Sequence, residues 1–124
     1  MNAPRRTHRR LRVLFVCAMN RQRSVTAERL YRNDPRLEVR SAGVRTGAVR
    51  RISEGDLRWA DVVYVMESDQ KRRIQTEFRD LELPMIEVLE IPDVFAVMDP
   101  ELIEILRATL DPEIEQHLHR KPPP

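Results

Sequence analysis

The chain has a single cysteine, Cys17. No intramolecular disulfide can form, and a zinc site built on thiolates is excluded. What remains is a buried, inert thiol or a reactive one. Long apolar runs are also missing: none approaches the ~18–20 residues a helix needs to cross a bilayer. The basic N-terminus has no apolar segment after its arginines, so it does not read as a signal peptide, and a cytoplasmic location is expected. Acids are absent from residues 1–12, which carry Arg5, Arg6, Arg9, Arg10 and Arg12. No aromatic residue interleaves with those charges, so the stacking platform of a nucleic-acid binder is lacking. Residues 1–10 read as a basic, solvated leader rather than a nucleic-acid arm.

What is there fits one globular domain of 124 residues, 41% hydrophobic and 34% charged. The net charge of +2 hides an asymmetry. Without the five arginines of residues 1–12, 17 basic residues face 20 acidic ones, so the body is slightly acidic. The domain is expected over residues 11–119, with a frayed tail at 120–124.

Leu11 to Val16 is a short, β-branched apolar run and reads as a central strand. From Ser24 to Arg32 the period turns helical, with Ala27, Leu30 and Tyr31 on one face and Glu28 four residues before Arg32. Asn33-Asp34-Pro35 stops that helix. Leu37 to Ser41 alternates as a second strand, closed by Gly43. Ser53 caps a short helix ending at Trp59. Val62 to Met66 is a third strand, and Ser68 is expected to cap the helix running to about Phe78. Met85 to Leu89 is a fourth strand. Asp99-Pro100-Glu101 starts a helix running to about Thr109, and Asp111-Pro112-Glu113 is expected to open another. Trp59 and Tyr64 read as packing residues. Alternation of strands and helices predicts an α/β three-layer sandwich. Its four-stranded parallel sheet, in order 2-1-3-4, is flavodoxin-like. Ligands in such sheets sit beyond the carboxyl ends of the strands at the switch point, here beside strand 1.

The loop at that point reads Cys17-Ala18-Met19-Asn20-Arg21-Gln22-Arg23-Ser24. Five residues between a cysteine and an arginine, wrapped from a strand end to a helix start, can close a cradle of backbone N–H groups. With the helix dipole behind it, such a cradle binds a phosphate dianion. Arg23 adds a planar fork for two phosphate oxygens. The same positive surroundings favour the thiolate of Cys17, the form that attacks phosphorus. The Ser24 hydroxyl can donate to that thiolate. No metal or cofactor is implied, because the loop and Arg23 supply the positive charge.

Val16-Cys17 through Ser24, Ala27-Glu28, Ser41-Ala42-Gly43, Asp61-Val62-Val63 with Val65-Met66, and Ile91-Pro92-Asp93 together resemble the low-molecular-weight protein tyrosine phosphatases. The similarity spans roughly residues 11 to 115 and is nearest to a shortened bacterial branch. The resemblance implies the phosphotyrosine phosphatase I-like fold, with Cys17 as nucleophile, Arg23 as phosphate clamp, Asn20 as loop brace and Ser24 as the hydroxyl that tunes the thiolate. Its implied substrates are phosphotyrosine proteins or small aryl phosphates, with inorganic phosphate as product and no membrane partner. It also implies an aspartate general acid on a late loop. Asp93 matches the family's position; Asp99 precedes proline, as the family's acid does, but its sequence is fully explained as an N-cap.

The departures have consequences. Met19 stands where the family commonly has glycine, and Gln22 where it has a second cysteine, so peroxide is expected to inactivate the protein irreversibly. Val94 replaces a proline and Phe95 a tyrosine. The stretch from Gly43 to Ser53 is short, which predicts a shallow pocket, and its Arg45, Arg50 and Arg51 read as a solvated loop. His8, His117 and His119 read as lying in the tails, His117 and His119 on a terminal helix; Glu67, at a strand end near the cleft where it could line it, reads as a surface acid. Two further readings share the scaffold: a thiol-dependent arsenate reductase, which would need an external thiol, and a phosphopeptide-binding module without efficient chemistry.

Overall fold

A computed structural model of the chain describes residues 9–120; most of the expected leader and tail (1–8 and 121–124) lies outside them. Four strands form one parallel sheet: β1 (Leu11–Cys17), β2 (Leu37–Gly43), β3 (Val62–Val65) and β4 (Met85–Val88), in the order β2-β1-β3-β4. This is the expected topology. The pairing runs Leu11↔Leu37 to Cys17↔Gly43 on one side of β1 and Val13↔Val62 to Val16↔Val65 on the other. Four helices connect or follow the strands: α1 (Arg23–Tyr31), α2 (Glu54–Trp59), α3 (Ser68–Glu77) and α4 (Pro100–His119). No helix among the described residues is long and apolar enough to cross a membrane.

The central strand is apolar on both faces because both are covered. Val13, Phe15 and Cys17 pack with Ala27 and Tyr31 of α1 and Leu102, Leu106, Leu110 and Ile114 of α4. Leu14 and Val16 pack against Leu57 of α2 and Ile74 of α3. Each such side chain contributes about 1.5–3 kcal/mol by leaving water, so β1 is fixed in register by both layers. Its carboxyl end is therefore a rigid platform, and Cys17 is its last residue.

Three local expectations are corrected. The two terminal helices are one: α4 continues through Pro112. A proline inside a helix costs ~3 kcal/mol or more. However, the stripe Leu102, Leu106, Leu110 and Ile114 repeats every four residues across it, and breaking the helix would unpack Ile114 and the last turns. Ser68 is the first residue of α3 rather than its cap; Glu67 holds that position, and the Gln70 side-chain oxygen accepts from the Met66 and Glu67 amides at 2.8 and 3.1 Å. Glu28 does not pair with Arg32, and its partner is described below. Ser53 does cap α2, in a reciprocal box with Asp56. Arg9 is held to Asp61 by two hydrogen bonds, at 2.9 and 3.2 Å.

Candidate active site

The loop from Cys17 to Gln22 leaves β1 and enters α1 at the switch point of the sheet. Its outer edge is clamped by backbone. The amides of Val44, Arg45 and Val49 donate to the carbonyls of Cys17, Ala18 and Met19 at 3.1, 3.0 and 3.0 Å. This close docking requires Gly43. A Cβ there would lie 2.7 Å from the Ala18 carbonyl oxygen and 2.9 Å from the Asn20 nitrogen, distances real Cβ atoms do not tolerate. With three carbonyls turned outward, the loop's donors are left over: among the described residues, the amides of residues 18–22 bond to no backbone carbonyl. α1 adds an N-terminus with no side-chain cap and no acid in its first turn. Orphan N–H groups and an uncapped helix dipole in one short loop favour an anion.

Arg23 lies under this loop and is only 2% exposed. Its guanidinium donates to the Ile91 carbonyl at 2.6 Å, meets Glu67 Oε2 at 3.1 Å, and lies 3.8 Å from Asp93 Oδ1. The start of α1, the end of β3 and the segment after β4 thus converge on one fork. A buried guanidinium needs such partners, since an unpaired charge there would be prohibitively costly. The segment carrying Asp93 is anchored at both ends: the Ile91 amide donates to the Met66 carbonyl at 2.9 Å, and the Met98 amide to the Thr26 hydroxyl at 2.9 Å. Of the two competing aspartates, Asp93 lies beside Arg23 with 58% of its side chain exposed. Asp99 instead accepts from the Glu101 amide at 2.8 Å as the N-cap of α4.

Behind the cysteine runs a buried hydrogen-bonded chain. The Ser41 hydroxyl donates to the Glu28 carboxylate. The Asn20 side-chain amide donates to Ser41 Oγ at 3.0 Å and to Ser24 Oγ at 2.9 Å. Ser24 Oγ lies 3.0 Å from Cys17 Sγ. Asn20 contributes both amide hydrogens, so each serine oxygen accepts one and keeps its own hydrogen to donate. The Ser41 hydrogen goes to Glu28, and Ser24 can give its own to sulfur. Asn20 occupies the left-handed region, with φ at 56°, which asparagine tolerates better than most residues. Ser24 is fully buried, as is Thr26.

Hydrogen bonds link Cys17, Ser24 and Asn20, and Arg23, next to Ser24 in the chain, lies 3.8 Å from Asp93; Ala18, Met19, Arg21 and Gln22 complete the loop from Cys17 to Arg23. Sequence reasoning set Glu67 aside as a surface acid; it is instead a direct partner of Arg23. Its place at a strand end near the cleft was legible in the sequence; its pairing with a buried arginine was not. Thr26 was missed, having no local mark. Of the loop arginines, Arg50 binds the Ser41 carbonyl at 2.7 Å and Asp56, and Arg51 binds Glu77 at 2.6 Å, while Arg45 is exposed. Asp56 is 1% exposed; burial pushes its carboxyl up, but Arg50 and the Ser53 amide outweigh this and hold it below the usual range. His117 lies on the terminal helix, as expected, with its side chain 8% exposed and packed edge-on against Tyr64. His8 lies outside the described residues.

No family model matches the chain, and a sequence search of curated proteins returned no match. Solved structures do match. An arginine phosphatase, YwlE of Geobacillus stearothermophilus, is 24% identical with a TM-score of 0.63, covering 91% of this chain and 99% of its own. SP-PTP, a low-molecular-weight protein tyrosine phosphatase of Streptococcus pyogenes, is 17% identical with a TM-score of 0.70, covering 86% and 92%. The tyrosine phosphatase Wzb of Escherichia coli K30, solved with phosphate, is 22% identical with a TM-score of 0.67, covering 85% and 96%. The strand order, the placement of the cysteine loop and these near-complete superpositions agree: the chain has the fold of the low-molecular-weight protein tyrosine phosphatases.

Proposed function

We propose that this chain is a cysteine-dependent phosphatase that hydrolyses phosphotyrosine or aryl phosphate monoesters through a phosphocysteine intermediate. The observation that carries the reading is the hydrogen-bonded chain from Glu28 through Ser41, Asn20 and Ser24, which ends 3.0 Å from Cys17 Sγ in a hydroxyl able to donate to it. A merely structural thiol has no use for a buried donor held on it by three further residues. Cys17 Sγ attacks phosphorus as the bond to the aryl oxygen breaks, and Asp93 gives its proton to the departing oxygen. Asp93 then takes a proton from water, whose oxygen attacks phosphorus. The sulfur–phosphorus bond breaks, and the thiolate returns to the Ser24 hydroxyl. Arg23 and the loop amides hold the equatorial oxygens throughout. The test is hydrolysis of para-nitrophenyl phosphate at mildly acidic pH, wild type beside Cys17→Ser, with vanadate as competitor. Turnover that vanishes in the variant and is blocked by vanadate supports the mechanism. Equal turnover in the variant overturns it, and vanadate binding without any turnover would favour the phosphopeptide-binding module.

A second reading is favoured by one observation: the two carboxylates beside Arg23, Glu67 and Asp93, are 40% and 58% exposed and border the site. A phosphoarginine side chain carries a guanidinium next to its phosphoryl group, and these acids suit that cation better than a neutral ring. The similar structure from Geobacillus stearothermophilus is an arginine phosphatase. The ratio of kcat/KM for phosphoarginine and phosphotyrosine peptides decides between the two.

A further inference from the structure

β4 is the edge of the sheet, and its Glu87 is the register partner of Tyr64 on β3, so the two side chains leave the sheet on the same face. That face is covered by α4, where Glu113 and His117 stand four residues apart and share one side of the helix. Glu87, Glu113 and His117 each offer one ligand atom, and these atoms all lie within 4.8 Å of one another. His117 Nε2 is 3.8 Å from Glu87 Oε2.

Two features separate this cluster from ordinary surface acids. First, the Tyr64 hydroxyl is fully buried and has no hydrogen-bond partner among the described residues. Its ring meets the His117 imidazole edge-on at 6.2 Å. As the register partner of Glu87, Tyr64 stands on the sheet face where the cluster forms. A buried hydroxyl with no partner calls for a missing acceptor or a rearranged one. Second, the His117 side chain is only 8% exposed, so its imidazole is held beside Glu87 rather than free in solvent.

We propose that Glu87, Glu113 and His117 bind a divalent first-row transition cation such as zinc, with the Tyr64 hydroxyl donating to one of the coordinated carboxylates. One imidazole nitrogen and two carboxylate oxygens leave a fourth position for water, a donor set suited to Zn²⁺ rather than Mg²⁺ or Ca²⁺. The cation would tie the edge strand to the last turns of α4. These are the two elements that bracket the segment carrying Asp93. Its role is structural and separate from the phosphate loop, where Arg23 and the amides supply the positive charge. The excluded thiolate site does not bear on it, since no sulfur is involved.

The test uses the full chain, stripped with chelator and carrying Cys17→Ser so that the active-site thiol cannot take up metal. Calorimetric titration with Zn²⁺ is expected to give one site per chain and a higher melting temperature. Glu113→Gln and His117→Gln should each weaken binding at least tenfold. Tyr64→Phe removes only the unpartnered hydroxyl. It should weaken Zn²⁺ binding by ~10–100-fold, as loss of an outer-sphere partner does, yet leave the metal-free protein as stable as before or more so. A merely packing role for Tyr64 would not produce those opposite signs. His119→Ala should change nothing, although His119 lies 3.3 Å from Glu115 on the same helix. No binding, equal affinity in Glu113→Gln, or binding lost with His119→Ala would each overturn the site. Should His117→Gln not fold, Glu113→Gln and Tyr64→Phe still decide.

Discussion

Replacing Ser24 with alanine removes a single hydroxyl, and the geometry says which chemical step should suffer. Ser24 Oγ is 3.0 Å from Cys17 Sγ and accepts from Asn20 at 2.9 Å, so its own hydrogen is available to the sulfur. A hydrogen bond to a charged group contributes ~1.5–3 kcal/mol, and each 1.36 kcal/mol is a factor of ten in rate. In the attack step two effects oppose each other: the bare thiolate is less stabilised but more nucleophilic. In the second step the thiolate is the leaving group, and the lost donor counts in full. Breakdown of phosphocysteine should therefore slow by ~10–150-fold while its formation changes little. Rapid mixing with para-nitrophenyl phosphate should then show a burst of nitrophenol near one equivalent per chain, followed by slow turnover. Vanadate binding would establish that the loop is intact. An unchanged kcat, or a fall in kcat with no burst, would refute the reasoning.

Asp93→Ala should lower kcat on phenyl phosphate by ~10²–10⁴, whereas Asp99→Ala should cost stability rather than rate. Unchanged turnover in Asp93→Ala would remove it from the mechanism. Gly43→Ala forces a Cβ against the Ala18 carbonyl and the Asn20 amide nitrogen and should abolish vanadate binding; tight binding would mean that the loop does not need the clamp. Asp56→Asn tests the acid limb of stability. A carboxyl held below its ordinary value of 3.8 stabilises the fold above that value and loses the contribution as pH falls through its folded pKa. Urea unfolding should thus show wild type ahead of the variant near neutral pH, with the gap closing below about pH 4; a gap independent of pH would contradict this. Peroxide should inactivate the protein irreversibly, since Cys17 has no second cysteine to form a protective disulfide; full recovery with thiol reductant would contradict that.

The strands were legible because burial on both faces leaves runs such as Val13-Leu14-Phe15-Val16 that read only one way. The site was legible as far as a short loop at the end of such a run can show, and the order 2-1-3-4 followed from the alternation of elements. The misreadings share a cause: a rule for neighbours along the chain was applied where a partner from another element competed. Glu28 four residues before Arg32 is worth ~0.3–0.5 kcal/mol on an exposed helix. A buried hydroxyl donating to its carboxylate is worth ~1.5–3 kcal/mol, and Ser41 arrives from β2 to supply it. Pro112 is a local stop signal outweighed by the stripe that carries α4 across the core. Glu67 reads as a surface acid until β3 is placed beside β1 and Arg23 comes within 3.1 Å. The Glu87–Tyr64–His117 cluster needs strand register and helix phase together, neither of which a single segment encodes. Residues that serve a site through a second element are thus the ones a local reading loses. Here they include Glu28, Ser41, Thr26 and Glu67, whose bonds reach toward Cys17, Arg23 or the segment carrying Asp93.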